Sequence, residues 1–260
     1  MKVTVFTSNQ PRHLAYIEKL SRASEIVYAV VETTTAFPGL VQDFYRKSGA
    51  MQEYFSRVRE AEVSIFGIHK PLPVNVRVLP IKMGDLSSLT EAHLSSILNS
   101  NYHLVFGSSY IRGWLADALV ARGAINIHMG VSPYYRGSSC NFWALWDRRP
   151  EFVGATVHLL SQGLDSGPML FHVRPRFEGQ DIFRWTMQAV EDVQVEIMER
   201  ISNDTIRGMS PVYQDRSLEL RYCRNLAFTD EVARKFLARS ISADEVRAAL
   251  VLNQPEGLLA

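Results

Sequence analysis

Short apolar runs alternate with longer amphipathic stretches through the first half of the chain. Val3 to Phe6, Glu25 to Val31, Val76 to Ile81, Tyr102 to Gly107 and Ala124 to His128 read as strands. Pro11 to Arg22, Val41 to Ala61, Ser87 to Leu98 and Arg112 to Ala121 carry helical spacing between them. Strands that alternate with helices predict βαβ units and a mostly parallel sheet. Parallel strands are covered on both faces, which fits runs that stay apolar rather than alternate. The pattern changes after His128. A short helix is expected over Asn141 to Asp147. Two strands, Gly154 to Leu160 and Met169 to Val173, are expected around a glycine-bearing turn. A long helix follows from Asp181 to Ile206, then an extended stretch, then helices at Thr229 to Leu237 and Ser242 to Leu250. The expected fold is thus α/β, with a Rossmann-like core over residues 1–207 and a small C-terminal subdomain over 208–260. Val212, Tyr213, Leu218, Leu220, Tyr222 and Phe228 lie in that tail, which is too small for a core of its own. They should pack on the main domain or on a second copy.

Composition narrows the class. The chain has 260 residues, is 47% hydrophobic and 21% charged, and has a formal net charge of +1. Nothing in that balance marks a general nucleic-acid or membrane-surface binder. The two cysteines, Cys140 and Cys223, make neither a disulfide framework nor a zinc pair. The apolar run at Met1 to Phe6 is too short for a signal peptide or a membrane span, so a cytoplasmic location is expected. No glycine appears in Thr7 to His13, after the first strand. A dinucleotide fingerprint and a Walker A loop are therefore both missing there.

The segment Ile125 to Ser139, INIHMGVSPYYRGSS, carries the chemistry. Asn126 and His128 stand two apart, on one face of a strand, where an open parallel sheet places its ligands. An Asn amide can donate to a developing oxyanion, and a neutral imidazole can take a proton near pH 7. Asp165, between Gly163 and Gly167, offers a carboxylate to support the ring. Such a set suits acyl transfer to an amine. Each piece alone is weak: an Asn-x-His pair is more often structural, and an Asp in a turn is usually just that. Trp143 and Trp146 read as core packing, His158 and His172 as structural histidines, and Cys140 as a small packed residue.

Taken together, Asn126-x-His128, Pro133-x-Tyr135-Arg136-Gly137 and Gly163-Leu164-Asp165-x-Gly167 resemble the signature of the folate-dependent formyltransferases. Among these the chain looks most like the sugar N-formyltransferases. The resemblance implies 10-formyltetrahydrofolate as formyl donor, no metal, and Asn126, His128 and Asp165 as the catalytic set. It places the folate against Phe106, Gly107, Ser108 and Tyr110, with Gly163 and Gly167 of the later turn. Two departures, Met129 where the family has Pro and Val131-Ser132 where it has leucines, bear on loop shape and acceptor contacts. The implied acceptor is a nucleotide-linked amino-dideoxy sugar, as in surface polysaccharide (O-antigen) assembly. Neither a membrane nor a nucleic acid is an expected partner, and a homodimer is expected. The cations Arg12, Lys82 and Arg136, with Tyr135, follow strands on one sheet edge and are the expected acceptor contacts. A methionyl-tRNA formyltransferase-like enzyme and a formyltetrahydrofolate hydrolase stay open as alternatives. A glycinamide ribonucleotide enzyme fits less well, because its glycine-bearing phosphate loop is missing.

Overall fold

A computed structural model describes residues 1–38, 48–253 and 255–259. Its centre is a seven-stranded sheet built in the order β3-β2-β1-β4-β5-β7-β8. β1 (Lys2–Ser8), β2 (Ile26–Thr33), β3 (Val76–Lys82), β4 (Tyr102–Phe106) and β5 (Ile125–His128) run parallel. β1 is buried from Val3 to Ser8, as a central parallel strand must be. The order reverses between β1 and β4, both of which pair with strands on opposite sides. At that switch point the loops after the two strands diverge and leave a crevice.

The helices follow from their punctuation. α1 (Pro11–Arg22) starts with Pro at its first position, where no N–H is missed. α2 (Gly49–Phe66) is capped by Ser48, whose hydroxyl accepts Met51 N–H. Residues 41–47 of the helix expected over Val41 to Ala61 lie outside the described residues. The single helix expected over Ser87 to Leu98 is instead a 3-10 turn at Leu86–Ser88 followed by α3 (Glu91–Leu94). Leu89 is extended, and Thr90 opens a new capping box with His93, so the helical pattern restarts rather than continues. α4 (Trp114–Ala121) then leads into β5.

Beyond His128 the chain turns through β6 (Tyr135–Gly137) into α5 (Cys140–Trp146). Trp143, on α5, is buried as core. β7 (Ala155–Leu159) and β8 (Met169–Val173) return antiparallel and close the sheet. α6 (Ile182–Ser202) begins at Asp181, whose carboxylate accepts the Phe183 and Arg184 N–H groups. It ends short of the expected Ile206, because Asp204 sits in the left-handed region at φ 53°.

The tail is laid over the core. Val212 exchanges backbone hydrogen bonds with Met169. β9 (Arg221–Cys223) pairs in parallel with β6. α7 (Asp230–Ala238) packs on α2, and α8 (Ala243–Leu252) packs near Pro150–Phe152. Phe236 and Val246 are buried by this packing, while Val212, Tyr213, Leu218, Leu220 and Tyr222 stay exposed. Among the described residues no helix is long and apolar enough to cross a membrane.

Three histidines in this frame are held below their ordinary pKa, each chiefly by burial. They are His13, where the Arg12 charge adds to the effect, His103 and His172. His172 Nε2 donates to the Ser132 carbonyl at 2.8 Å, and its Nδ1 accepts Leu259 N–H at 3.1 Å. A proton on Nδ1 would face that N–H and break the tail contact. The unfolded rings take up protons near pH 6.5 while the folded rings do not. Stability is therefore complete above about pH 6.5 and is lost as pH falls below it. Urea unfolding at pH 7.5 and 5.5 should show the lower midpoint at pH 5.5, and an unchanged or higher midpoint would contradict this.

Candidate active site

The crevice at the switch point opens into a cavity of about 780 Å³. Its floor is the carboxyl ends of β1, β4 and β5. Ser8, Gln10, Arg12 and His13 enter from the end of β1 and the start of α1, and Phe106 to Ile111 from the end of β4 and the loop after it. Asn126, His128, His158 and Asp165 meet at its base.

Strand register explains that meeting. The antiparallel pairing of β5 with β7 sets Asn126 opposite His158 and His128 opposite Thr156. Cross-strand partners lie within side-chain reach, and Asn126 Nδ2 stands 2.9 Å from His158 Nε2. His158 Nδ1 is 2.8 Å from the Leu159 carbonyl, an acceptor only, so that nitrogen carries the hydrogen and Nε2 accepts from the amide. The second amide hydrogen of Asn126 points at Asp165 Oδ1, 3.3 Å away. His128 is fixed at both nitrogens. Its Nε2 donates to the Tyr135 carbonyl at 3.1 Å, and its Nδ1 faces Asp165 Oδ2 at 3.4 Å. The ring is 5% exposed, so water does little to loosen it.

Asp165 sits in the left-handed region at φ 46°, which Asp tolerates better than most residues. Its turn is clamped from below. Arg136 donates to the Asp165 and Leu164 carbonyls, and Gln214 donates to the carbonyls of Asp165 and Gly167. Burial by itself would raise the Asp165 carboxyl. The His128 and His158 rings and the Arg136 charge outweigh it, so the group is held below the usual carboxylate range. A fixed negative charge therefore faces His128 Nδ1.

Several expected contacts are placed otherwise. Tyr135 is 1% exposed and does not line the cavity; its hydroxyl reaches Asp147, and only its carbonyl serves the site. Arg136 is buried and ion-paired with Glu219 at 2.8 Å, so its charge is spent inside the protein. Lys82 is exposed at the end of β3 and lies off the cavity. Gly167 packs against the Leu159 carbonyl, where a Cβ would come within 1.7 Å, and does not line the cavity either. Arg12 does line it, tied to Glu62 at 2.7 Å. Phe106, Gly107, Ser108, Tyr110 and Gly163 also line it. Gly107 must be glycine: its φ is 66°, and a Cβ would meet His13 Nε2 at 2.4 Å.

Three residues of the site lacked a sequence signal. His158 reads as one more strand residue until β7 is paired with β5. Arg59 reaches the cavity from α2, and no described carboxylate pairs with it. Glu32, fully buried at the end of β2, accepts Gly84 N–H at 2.8 Å, Ser109 N–H at 2.5 Å and the Ser109 hydroxyl at 2.7 Å. It ties the loops after β2, β3 and β4 into one rim. Among the described residues no group of three or more His, Cys, Asp or Glu could hold a metal ion.

The family model for formyl transferase matches residues 96–201, from the approach to β4 to the end of α6. Over that stretch, under half of the chain, the protein is similar to formyl transferases. All four groups at the cavity base fall inside it. A methionyl-tRNA formyltransferase of Thermosynechococcus vestitus is 30% identical over 126 residues, 42% of this chain and 37% of that protein. A mitochondrial formyltetrahydrofolate deformylase 2 of Arabidopsis thaliana is 28% identical over 95 residues, 36% of this chain and 27% of that protein. The chain thus spans about a third of the length of these relatives. Among solved structures, an N-formyltransferase from Helicobacter canadensis in complex with folinic acid and dTDP-3-aminofucose aligns with TM-score 0.54 at 12% identity. The alignment covers 91% of this chain and 80% of that one. That likeness is one of fold, and it extends the formyl transferase fold to the elements on both sides of the matched domain.

Proposed function

We propose that the protein transfers a formyl group from 10-formyltetrahydrofolate to the amine of a nucleotide-linked amino sugar. The observation that carries this reading is the His128 ring held between a carbonyl and a charged carboxylate, with the Asn126 amide beside it. The donor supplies a formyl group on nitrogen. Its flat heterocycle suits the slot between the loop after β4 and the turn at Gly163 to Asp165, where Ile111 and Leu160 give apolar walls and Ser108 and Ser109 polar edges. The matched formyl transferase domain supports the same donor class.

The acceptor must attack as a free amine, so a proton has to leave its nitrogen as the new C–N bond forms. His128 Nε2 is committed to Tyr135, which leaves Nδ1 to take that proton. Asp165, 3.4 Å away, stabilises the charged ring that results. The proton then passes to the folate nitrogen as the old C–N bond breaks, leaving a formamide and tetrahydrofolate. Negative charge builds on the formyl oxygen during this exchange. Asn126 is the donor for it, releasing its longer bond to Asp165 while His158 keeps the amide oriented. His158 is thus a positioning residue. Arg12, Arg59, Gln10, Thr34 and Thr35 also line the cavity and are the groups we assign to the charged head of the acceptor.

The exposed apolar tail residues Tyr213, Leu220 and Leu226 are the face we assign to a homodimer. A dimer is expected by light scattering at micromolar concentration, and a monomer there removes this part of the reading.

Purified protein incubated with 10-formyltetrahydrofolate and a panel of nucleotide-linked amino sugars should yield a product heavier by one formyl group. His128→Asn and Asp165→Asn should each fold and should each lower turnover about 100-fold or more. Near-normal turnover in a folded His128→Asn variant contradicts the mechanism. Formate released without any acceptor would assign hydrolysis instead, and formylation of methionyl-tRNA alone would reassign the acceptor.

A further inference from the structure

A second chamber, of about 280 Å³, opens beside the first. The two share His128, Met129, Gly137, Phe55 and Val58, so a molecule with its amine at His128 stands at the mouth of both. The chamber lies between α2, α5, α6 and α7. Tyr54 is its aromatic hub, with ring centroids 5.6 Å from Phe142, 5.3 Å from Phe183 and 4.9 Å from Phe228. Phe228 and Phe236 come from the tail, which gives that segment a role at the site: it closes the chamber.

Its polar members are largely committed elsewhere. Asn141 Oδ1 accepts Gly154 N–H at 2.9 Å, and the Thr186 hydroxyl donates to the Phe183 carbonyl at 3.0 Å. Burial pushes the Tyr54 hydroxyl well above its ordinary pKa, so it is neutral. Walls of this kind give few partners to water and suit an apolar guest. An apolar group placed there leaves water and gains packing together.

We propose that the acceptor carries an apolar substituent close to its amine, and that this chamber receives it. The inference rests on the formyl-transfer reading for the position of the amine at His128. It makes the tail and Met129 determinants of which amine is chosen, while the charged head is read in the larger cavity by Arg12 and Arg59.

The test uses primary alkylamines from ethylamine to octylamine as probes of the full chain. Calorimetry measures binding, and mass spectrometry in the presence of 10-formyltetrahydrofolate measures formylation. Affinity should rise about three- to fourfold per added methylene until the chamber is filled. Thr186→Phe, which fills the chamber from α6, should abolish that rise and leave ethylamine unaffected. Phe236→Ala, which widens the chamber, should move the best chain length upward and keeps the test open if the first variant does not fold. Octylamine binding no tighter than ethylamine in the parent, or a rise that survives Thr186→Phe, overturns the chamber. Length-dependent binding without formylation of any amine or nucleotide amino sugar keeps the chamber and overturns formyl transfer.

Discussion

One imidazole held at both nitrogens organises this site. The Tyr135 carbonyl fixes the hydrogen of His128 on Nε2, and Asp165 faces the other nitrogen. Two neighbouring turns serve those two contacts. The cavity base needs Tyr135 to turn back over β5, and β6 holds that turn by pairing with β9 of the tail. It also needs Asp165 at a positive φ, and Arg136 and Gln214 hold that turn through its carbonyls. Both supports lean on the tail, since Arg136 is ion-paired with Glu219 and Gln214 belongs to the tail itself. The C-terminal segment is therefore part of how the geometry around His128 is kept, and α7 adds a wall to the chamber beside it.

Much of this was legible in the residues. The apolar runs marked all seven strands of the sheet, most plainly the central ones, which are covered on both faces. The Asn-x-His spacing and the Gly-bracketed Asp marked the three groups that converge. Asn126 and His128 share a strand, and turn chemistry singled out Asp165. The misreadings have a common physical origin. Arg136 and Tyr135 follow the catalytic strand directly, so they read as ligands. Whether a loop residue points into a cavity or back into the protein depends on partners distant in sequence. Glu219, 83 residues away, takes the Arg136 charge, and Asp147 takes the Tyr135 hydroxyl. His158 is a strand histidine satisfied at both ring nitrogens, as expected, but its place beside Asn126 was not legible, because the register that sets it there is a property of two strands and not of one.

Two adjoining spaces of different character meet at His128. Arg12 and Arg59 line the larger cavity, and the Tyr54 cluster lines the chamber beside it. An amine delivered between them is sorted by its head and by its apolar part at once. Specificity of that kind comes from the loops and the tail. The sheet supplies only the edge on which Asn126 and His128 are mounted, in keeping with a site grafted onto a widely used architecture.

The central claim is the tautomer and partners of His128. Nitrogen-15 NMR of the histidine rings, with His128→Asn to assign the signal, tests it directly. Nε2 of His128 should carry a hydrogen throughout, with Nδ1 the nitrogen that gains and loses a proton, and Asp165→Asn should perturb Nδ1 far more than Nε2. A ring with its hydrogen on Nδ1 and a bare Nε2 would contradict the account.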